Sequence, residues 1–176
     1  MGLRSNGIVA WMRERLALSG AGGFVVGLSG GLDSAVVARL CQLAAPAGLM
    51  TLVLPCHGSP GDEADAMLVA STFGMPVRRI DLAPAFDHLA ADLRSGLAGP
   101  ADGGADPSGP AAAHLPSANL KARLRMASLY YAANSLGYLV AGTGNRSELM
   151  LGYFTKYGDG GSDLLPIGGL LKEEVR

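Results

Sequence analysis

Within Ser29-Gly30-Gly31-Leu32-Asp33-Ser34 the chain concentrates two hydroxyls, a carboxylate and two adjacent glycines. Glycines let a backbone take positive φ and come close to a ligand, and serine hydroxyls donate to phosphate oxygens. Asp33 is out of place beside a bare anion, but it fits if a divalent cation lies between carboxylate and phosphate. Gly27 and Leu28 lead into the turn, so Gly27 through Ser34 reads as a site for a metal-bound nucleotide. Other motifs compete for the same residues. A Walker loop needs a lysine after its last glycine, and no lysine precedes Lys121. A dinucleotide fingerprint needs a glycine where Ser29 stands. Gly27-Leu28-Ser29-Gly30-Gly31 does match the nucleophile elbow Gly-x-Ser-x-Gly, which would make Ser29 an acyl-enzyme nucleophile. That reading needs a histidine partner, and the histidines are only His57, His88 and His114, the last inside a Gly/Pro-rich tract. A glycine turn without a ligand would leave two serines and an aspartate unexplained.

The surrounding pattern supplies the positioning elements. Phe24, Val25 and Val26 read as a buried strand, Gly27 to Asp33 as a turn, and Ala35 to Leu43 as an apolar helix whose start aims unpaired N–H groups at an anion. Before them, Ile8 to Leu18 is an amphipathic helix ending at Gly20, with Trp11 either core cover or subunit contact. Leu49 to Leu54 is a second continuous apolar strand, as burial on both faces of a parallel sheet produces. Pro55 to Gly61 follows at the strand end where ligands approach open α/β sheets, and Asp62-Glu63-Ala64-Asp65 opens a helix with acids suited to its dipole. Val77 to Leu82 predicts a third strand and Pro84 to Leu93 a further helix, so the fold class is α/β, doubly wound, with a mainly parallel sheet and helices on both faces. Nine of the twenty-two residues from Ser95 to Pro116 are Gly or Pro, which predicts a flexible surface loop over 95–116. Ser117 is then the cap of a helix through Leu136, with Leu120, Leu124, Ala127, Tyr131 and Ser135 along one side and Lys121, Arg125 and Ser128 along another. Tyr138 to Ala141 is the next strand, and Gly142-Thr143-Gly144 repeats the close backbone approach at the same carboxyl edge. Glu148 falls in a short helix beyond it, Gly152 to Gly161 forms a structured loop, and Ile167 to Leu171 starts another helix.

Composition narrows the partner. The 176 residues suffice for a single domain over 1–176, and 49% hydrophobic against 16% charged residues agrees with a globular core. A net charge of −1 carries no basic field for nucleic acid or a membrane surface. No apolar run approaches the ~20 residues of a spanning helix. The two cysteines, Cys41 and Cys56, suit reduced intracellular thiols, and a cytoplasmic location is expected.

The hexapeptide resembles the pyrophosphate-binding loop Ser-Gly-Gly-x-Asp-Ser of the ATP pyrophosphatase superfamily. Three later blocks, Asn119 to Met126, Gly142-Thr143-Gly144-Asn145-Arg146-Ser147-Glu148 and Gly152 to Asp163, resemble NAD synthetase. That resemblance implies an adenine nucleotide alpha hydrolase-like, Rossmann-like fold and ATP-dependent amidation of deamido-NAD through an adenylated intermediate, with ammonia as nitrogen donor. It implies ATP contacts from Gly27, Leu28, Ser29, Gly30, Gly31, Leu32, Asp33, Ser34, Thr143 and Lys172, and substrate contacts from Arg123, Lys156 and Asp163. Asp33 and Glu148 become the Mg2+ ligands, no covalent nucleophile is required, and a homodimer is expected. Relatives carry a further C-terminal part, so a nucleotide-binding but catalytically incomplete chain is the alternative, with a Ser29 hydrolase behind it.

Overall fold

Phe24, Val25 and Val26 are fully buried because β1 (Phe24–Gly27) lies between parallel neighbours on both sides. The computed structural model describes residues 2–97 and 110–176. In chain order the elements are α1 (Leu3–Ser19), β1, α2 (Leu32–Ala44), β2 (Leu49–Val53), α3 (Pro60–Thr72), β3 (Val77–Arg79), α4 (Ala83–Leu97), α5 (Pro110–Leu136), β4 (Leu139–Val140), α6 (Arg146–Leu151) and α7 (Lys172–Val175). The sheet order is β3-β2-β1-β4, all parallel, with Phe24 opposite Leu49 on one side and Leu139 on the other.

Alternate side chains of β1 feed two cores, as the period of a strand requires. Phe24 and Val26 pack with Val9, Met12, Val37, Cys41, Ala66 and Ala70 from α1, α2 and α3. Val25 packs on the opposite face with Phe86 and Ala90 of α4 and Ala133 of α5. Helices thus cover both faces, the doubly wound arrangement expected from the strand and helix alternation. The reversal of strand order lies between β1 and β4, so the loops after β1, β2 and β4 open on one carboxyl edge.

Several boundaries differ from the pattern reading. The helix after the first turn starts at Leu32, three residues early, so Leu32, Asp33 and Ser34 form its first turn. α4 continues to Leu97 and α5 begins at Pro110 with Pro116 inside it, so the 95–116 tract is helical at both ends and the Ser117 cap is overturned. Proline is unfavourable inside a helix, but Ala111, Ala112, Ala113 and Leu115 are strong helix formers, and their propensity carries the turn through. The middle of the expected loop, 98–109, lies outside the described residues. Ile167 to Leu171 forms turns, and the last helix begins only at Lys172. Trp11 is 39% exposed, while its neighbour Met12 fills the core.

Candidate active site

The turn after β1 is built largely from its own serines. Leu28 still bonds to the sheet, donating its N–H to Leu52 O at 2.8 Å, and Gly30 then takes φ 83°. A Cβ on Gly30 would stand 2.4 Å from Asp62 O, so the turn closes against α3 only because glycine is there. The Ser34 hydroxyl, buried beneath the turn, donates to Gly31 O at 2.8 Å and accepts from Ser29 N at 3.2 Å and from Ser29 Oγ at 3.1 Å. Gly31 N in turn donates to Ser29 Oγ at 3.2 Å. These hydroxyls brace the loop, and the N–H groups of Leu32 and Asp33 at the start of α2, where no intrahelical acceptor exists, are free among the described residues to meet an anion. No histidine meets Ser29: His57 Nε2 lies 2.7 Å from Asp87 Oδ1, with His57 turned to φ 51° in the loop after β2.

Two pockets meet at this turn. One, of about 190 Å³, is lined by Ser29, Asp33, Ser34, Thr143, Glu148 and Lys172 among others. The second, of about 470 Å³ and mainly apolar, runs between Gly27, Leu52, Leu54, Pro55 and Arg125, Met126 and Leu129 of α5. Ser29, Thr143 and Asp159 line both. The topology therefore unites residues that are more than a hundred positions apart in the chain.

The polar pocket holds a connected set of charges. Asp33 Oδ2 accepts from Lys172 Nζ at 2.6 Å and from Asn145 Nδ2 at 3.1 Å. Its other oxygen, Oδ1, is buried and accepts no hydrogen bond from the described residues. Glu148 Oε2 accepts from Asn145 N at 3.1 Å, and Asn145 Oδ1 accepts from Glu148 N at 3.0 Å, a reciprocal cap at the start of α6. A buried carboxylate oxygen without a donor is costly unless a cation meets it, and two carboxylates with nucleotide phosphates are a usual magnesium environment. The pocket fits that ion. Among the described residues no three His, Cys, Asp or Glu side chains cluster for a metal, so phosphate oxygens and water would complete the coordination.

The remaining predicted residues surround this centre differently. Arg123 is exposed on α5 and its Nε donates to Lys156 O at 3.3 Å, while Lys156 Nζ lies 5.0 Å from the Tyr157 ring. Both flank the pockets without lining either. Asp163 accepts from Val140 N at 2.7 Å and from Tyr130 Oη–H at 3.0 Å, so its carboxylate ties the loop to β4 and α5. Burial first, and the Asp163 carboxylate second, push the Tyr130 phenol up to about 12. Three residues escaped the sequence reading. Arg125 enters the apolar pocket with Nε donating to Leu54 O at 3.0 Å, and only the partner strand reveals it. Asp159 lines both pockets while accepting from Thr155 N at 2.9 Å. Asn145 is fully buried, and its sequence signal was available in Asn145-x-x-Glu148, the pattern of a capping box.

Known proteins resemble this chain over nearly its whole length. The NAD synthase family profile matches residues 5–176. An NH(3)-dependent NAD(+) synthetase from Carboxydothermus hydrogenoformans is 45% identical over 172 residues, 98% of this chain and 66% of that protein. One from Syntrophomonas wolfei subsp. wolfei is 43% identical over 175 residues, 97% of this chain and 65% of that protein. The chain thus spans just under two thirds of the length of these relatives. A solved structure of NMN synthetase from Francisella tularensis superposes with a TM-score of 0.86 at 33% identity, covering 98% of this chain and 66% of that one.

Proposed function

The chain belongs to the NAD synthase family, and from that membership we propose that it catalyses ATP-dependent amidation of deamido-NAD to NAD, with ammonia as nitrogen donor. The observation that carries the reading is the junction at Ser29, Thr143 and Asp159, where a large apolar cleft passes into a polar pocket beside an anion-binding turn. The cleft between Leu54 and Leu129 suits an adenosine, and the start of α2 suits the phosphates that follow it. A carboxylate resists ammonia because oxide is a poor leaving group. The substrate carboxylate therefore attacks the α-phosphorus of ATP, pyrophosphate leaves, and ammonia then displaces AMP from the acyl adenylate.

The residues of the chain serve that sequence by position and charge. The N–H groups of Leu32 and Asp33, with the turn Gly27-Leu28-Ser29-Gly30-Gly31 and Ser34 behind them, hold the departing pyrophosphate as its charge grows. Asp33 and Glu148 hold magnesium, which when bound offsets charge on the phosphates. Lys172 stands on Asp33 and is within the same pocket to reach a phosphate. Thr143 faces ATP from the end of β4, and Arg125 joins the cleft wall. Arg123 and Lys156 offer cations to an anionic dinucleotide, and Asp163 orders the loop that carries Lys156. The single domain is proposed to act in the cytoplasm, in keeping with its two buried free thiols. No helix among the described residues is long and apolar enough to cross a membrane. A homodimer is proposed from the family resemblance, and Met150, Leu151, Tyr153 and Tyr157 are exposed apolar or aromatic side chains available to such a contact; light scattering that returns a monomer would reject it.

The test is pyrophosphate release from ATP and magnesium with and without deamido-NAD, with ammonia added in a second arm and NAD as the final readout. Release that depends on deamido-NAD, and NAD formed once ammonia is present, is the expected result. The likeness to the Francisella NMN synthetase favours one second reading, a mononucleotide acid as the substrate, and a parallel arm with deamido-NMN separates the two. ATP binding without pyrophosphate release in either arm would mean a nucleotide-binding chain that does not turn over.

A further inference from the structure

We infer that Asn145 is the positioning residue of the metal site, dividing each of the two carboxylates into one oxygen held by protein and one presented to the cation. This inference rests on the nucleotide and magnesium reading of the pocket. Asn145 is fully buried, and among the described residues its side chain bonds to the two acids alone. Its Nδ2 donates to Asp33 Oδ2, its Oδ1 accepts from Glu148 N, and its own N–H donates to Glu148 Oε2. The two carboxylates, 115 positions apart in sequence by 148 − 33, are therefore held by one residue, Asp33 through its side-chain amide and Glu148 through its backbone N–H. Asp33 Oδ1 is left buried without a donor, and Glu148 Oε1 accepts no hydrogen bond among the described residues. Those are the oxygens that remain for a cation. Lys172 occupies the same Asp33 oxygen as Asn145, so if Lys172 turns to a phosphate, Asn145 alone keeps Asp33 from rotating.

Asn145 has two jobs that a substitution can separate. It caps α6, where serine is about as good as asparagine, and it reaches Asp33, which the shorter serine does not. In Asn145→Ser the cap persists and the tether to Asp33 is lost. The measurement is Mn2+ binding by electron paramagnetic resonance in the presence of a non-hydrolysable ATP analogue, alongside binding of the same analogue in EDTA and a thermal melt. Outer-shell partners of a metal change its affinity about 10- to 100-fold when removed. Asn145→Ser should weaken Mn2+ at least about tenfold, with metal-free analogue binding within about twofold of the parent and the protein still folded. A merely structural role would move all three readouts together or none. Equal Mn2+ affinity in parent and Asn145→Ser, with Asp33→Asn weakened, overturns the positioning role and leaves the site reading standing. If the parent takes up no Mn2+ with the analogue, or Asp33→Asn binds it as the parent does, the magnesium reading fails and the inference falls with it.

Discussion

At the scale of single residues, Asp33 is the one whose environment is hardest to explain without a ligand. One oxygen carries an ammonium and an amide, and the other is buried with no donor among the described residues. Asp33→Asn keeps the shape and removes the charge, so turnover with deamido-NAD should fall roughly 100-fold, since even outer partners of a metal cost about 10- to 100-fold; full turnover in a steady-state assay would remove Asp33 from the metal. Gly30 makes a separate claim. Gly30→Ala must hold alanine at φ 83° and place its Cβ 2.4 Å from Asp62 O, whereas Gly20→Ala at φ 70° meets nothing within 4 Å. Left-handed strain alone costs about 1–3 kcal/mol, so Gly20→Ala should lose stability in that range with nucleotide binding intact. Gly30→Ala should lose more and also lose ATP binding, as urea melts and calorimetric titration would show. Sequence supplied both glycine turns and both acids, and it assigned the serine hydroxyls to phosphate; in the structure those hydroxyls bind the turn itself. Their donors are spent on Gly31 O and on each other, a result of the early start of α2 that no residue pattern announces.

At the scale of elements, β4 is only two residues long, and at its outer edge Val140 O accepts from the backbone of Asp163 while Val140 N must find a side chain. Asp163 accepts Val140 N where a fifth strand would have offered a carbonyl, and Ala141 and Leu164 pair as an isolated bridge beyond it. Hydrogen bonds to charged groups contribute about 1.5–3 kcal/mol, so Asp163→Ala should lose about 2 kcal/mol and loosen the Gly152–Asp163 segment together, measurable as faster amide exchange there. The same contact has an alkaline signature. Tyr130 keeps its proton in the folded chain to about 12 against 10.0 when unfolded, so the folded state is favoured fully below 10 and loses that advantage as pH rises towards 12. Tyr130→Phe should flatten this loss, and a difference in urea midpoints between the two proteins that does not shrink with rising pH would contradict the assignment. The α5 pattern was read with Ala127, Tyr131 and Ser135 on one side, and that side does line a common apolar groove with Met50, Leu52 and Ile80. What spacing did not reveal was its depth, since Tyr131 remains 79% exposed while Ala133, two residues on, is in the core.

At the scale of the whole molecule, the two cysteines report on the packing. Cys41 and Cys56 lie in opposite cores, both essentially inaccessible, and burial pushes both thiols up. Neither should react with a thiol reagent in the native chain at neutral pH, and both should react after unfolding; rapid native labelling of either would mean that its core opens locally. The sequence by itself determined the parallel α/β class, the glycine turn after the first strand and the family, because strand hydrophobicity, glycine spacing and local motifs are carried by neighbouring residues. It also determined that Asp33, Thr143, Glu148 and Lys172 were worth naming. Only the tertiary structure decided how they meet, that Arg125 turns to Leu54, and that Asn145 joins both acids. Those contacts depend on the strand order β3-β2-β1-β4, which brings the ends of β1 and β4 side by side, and a sheet order is settled by packing between distant segments.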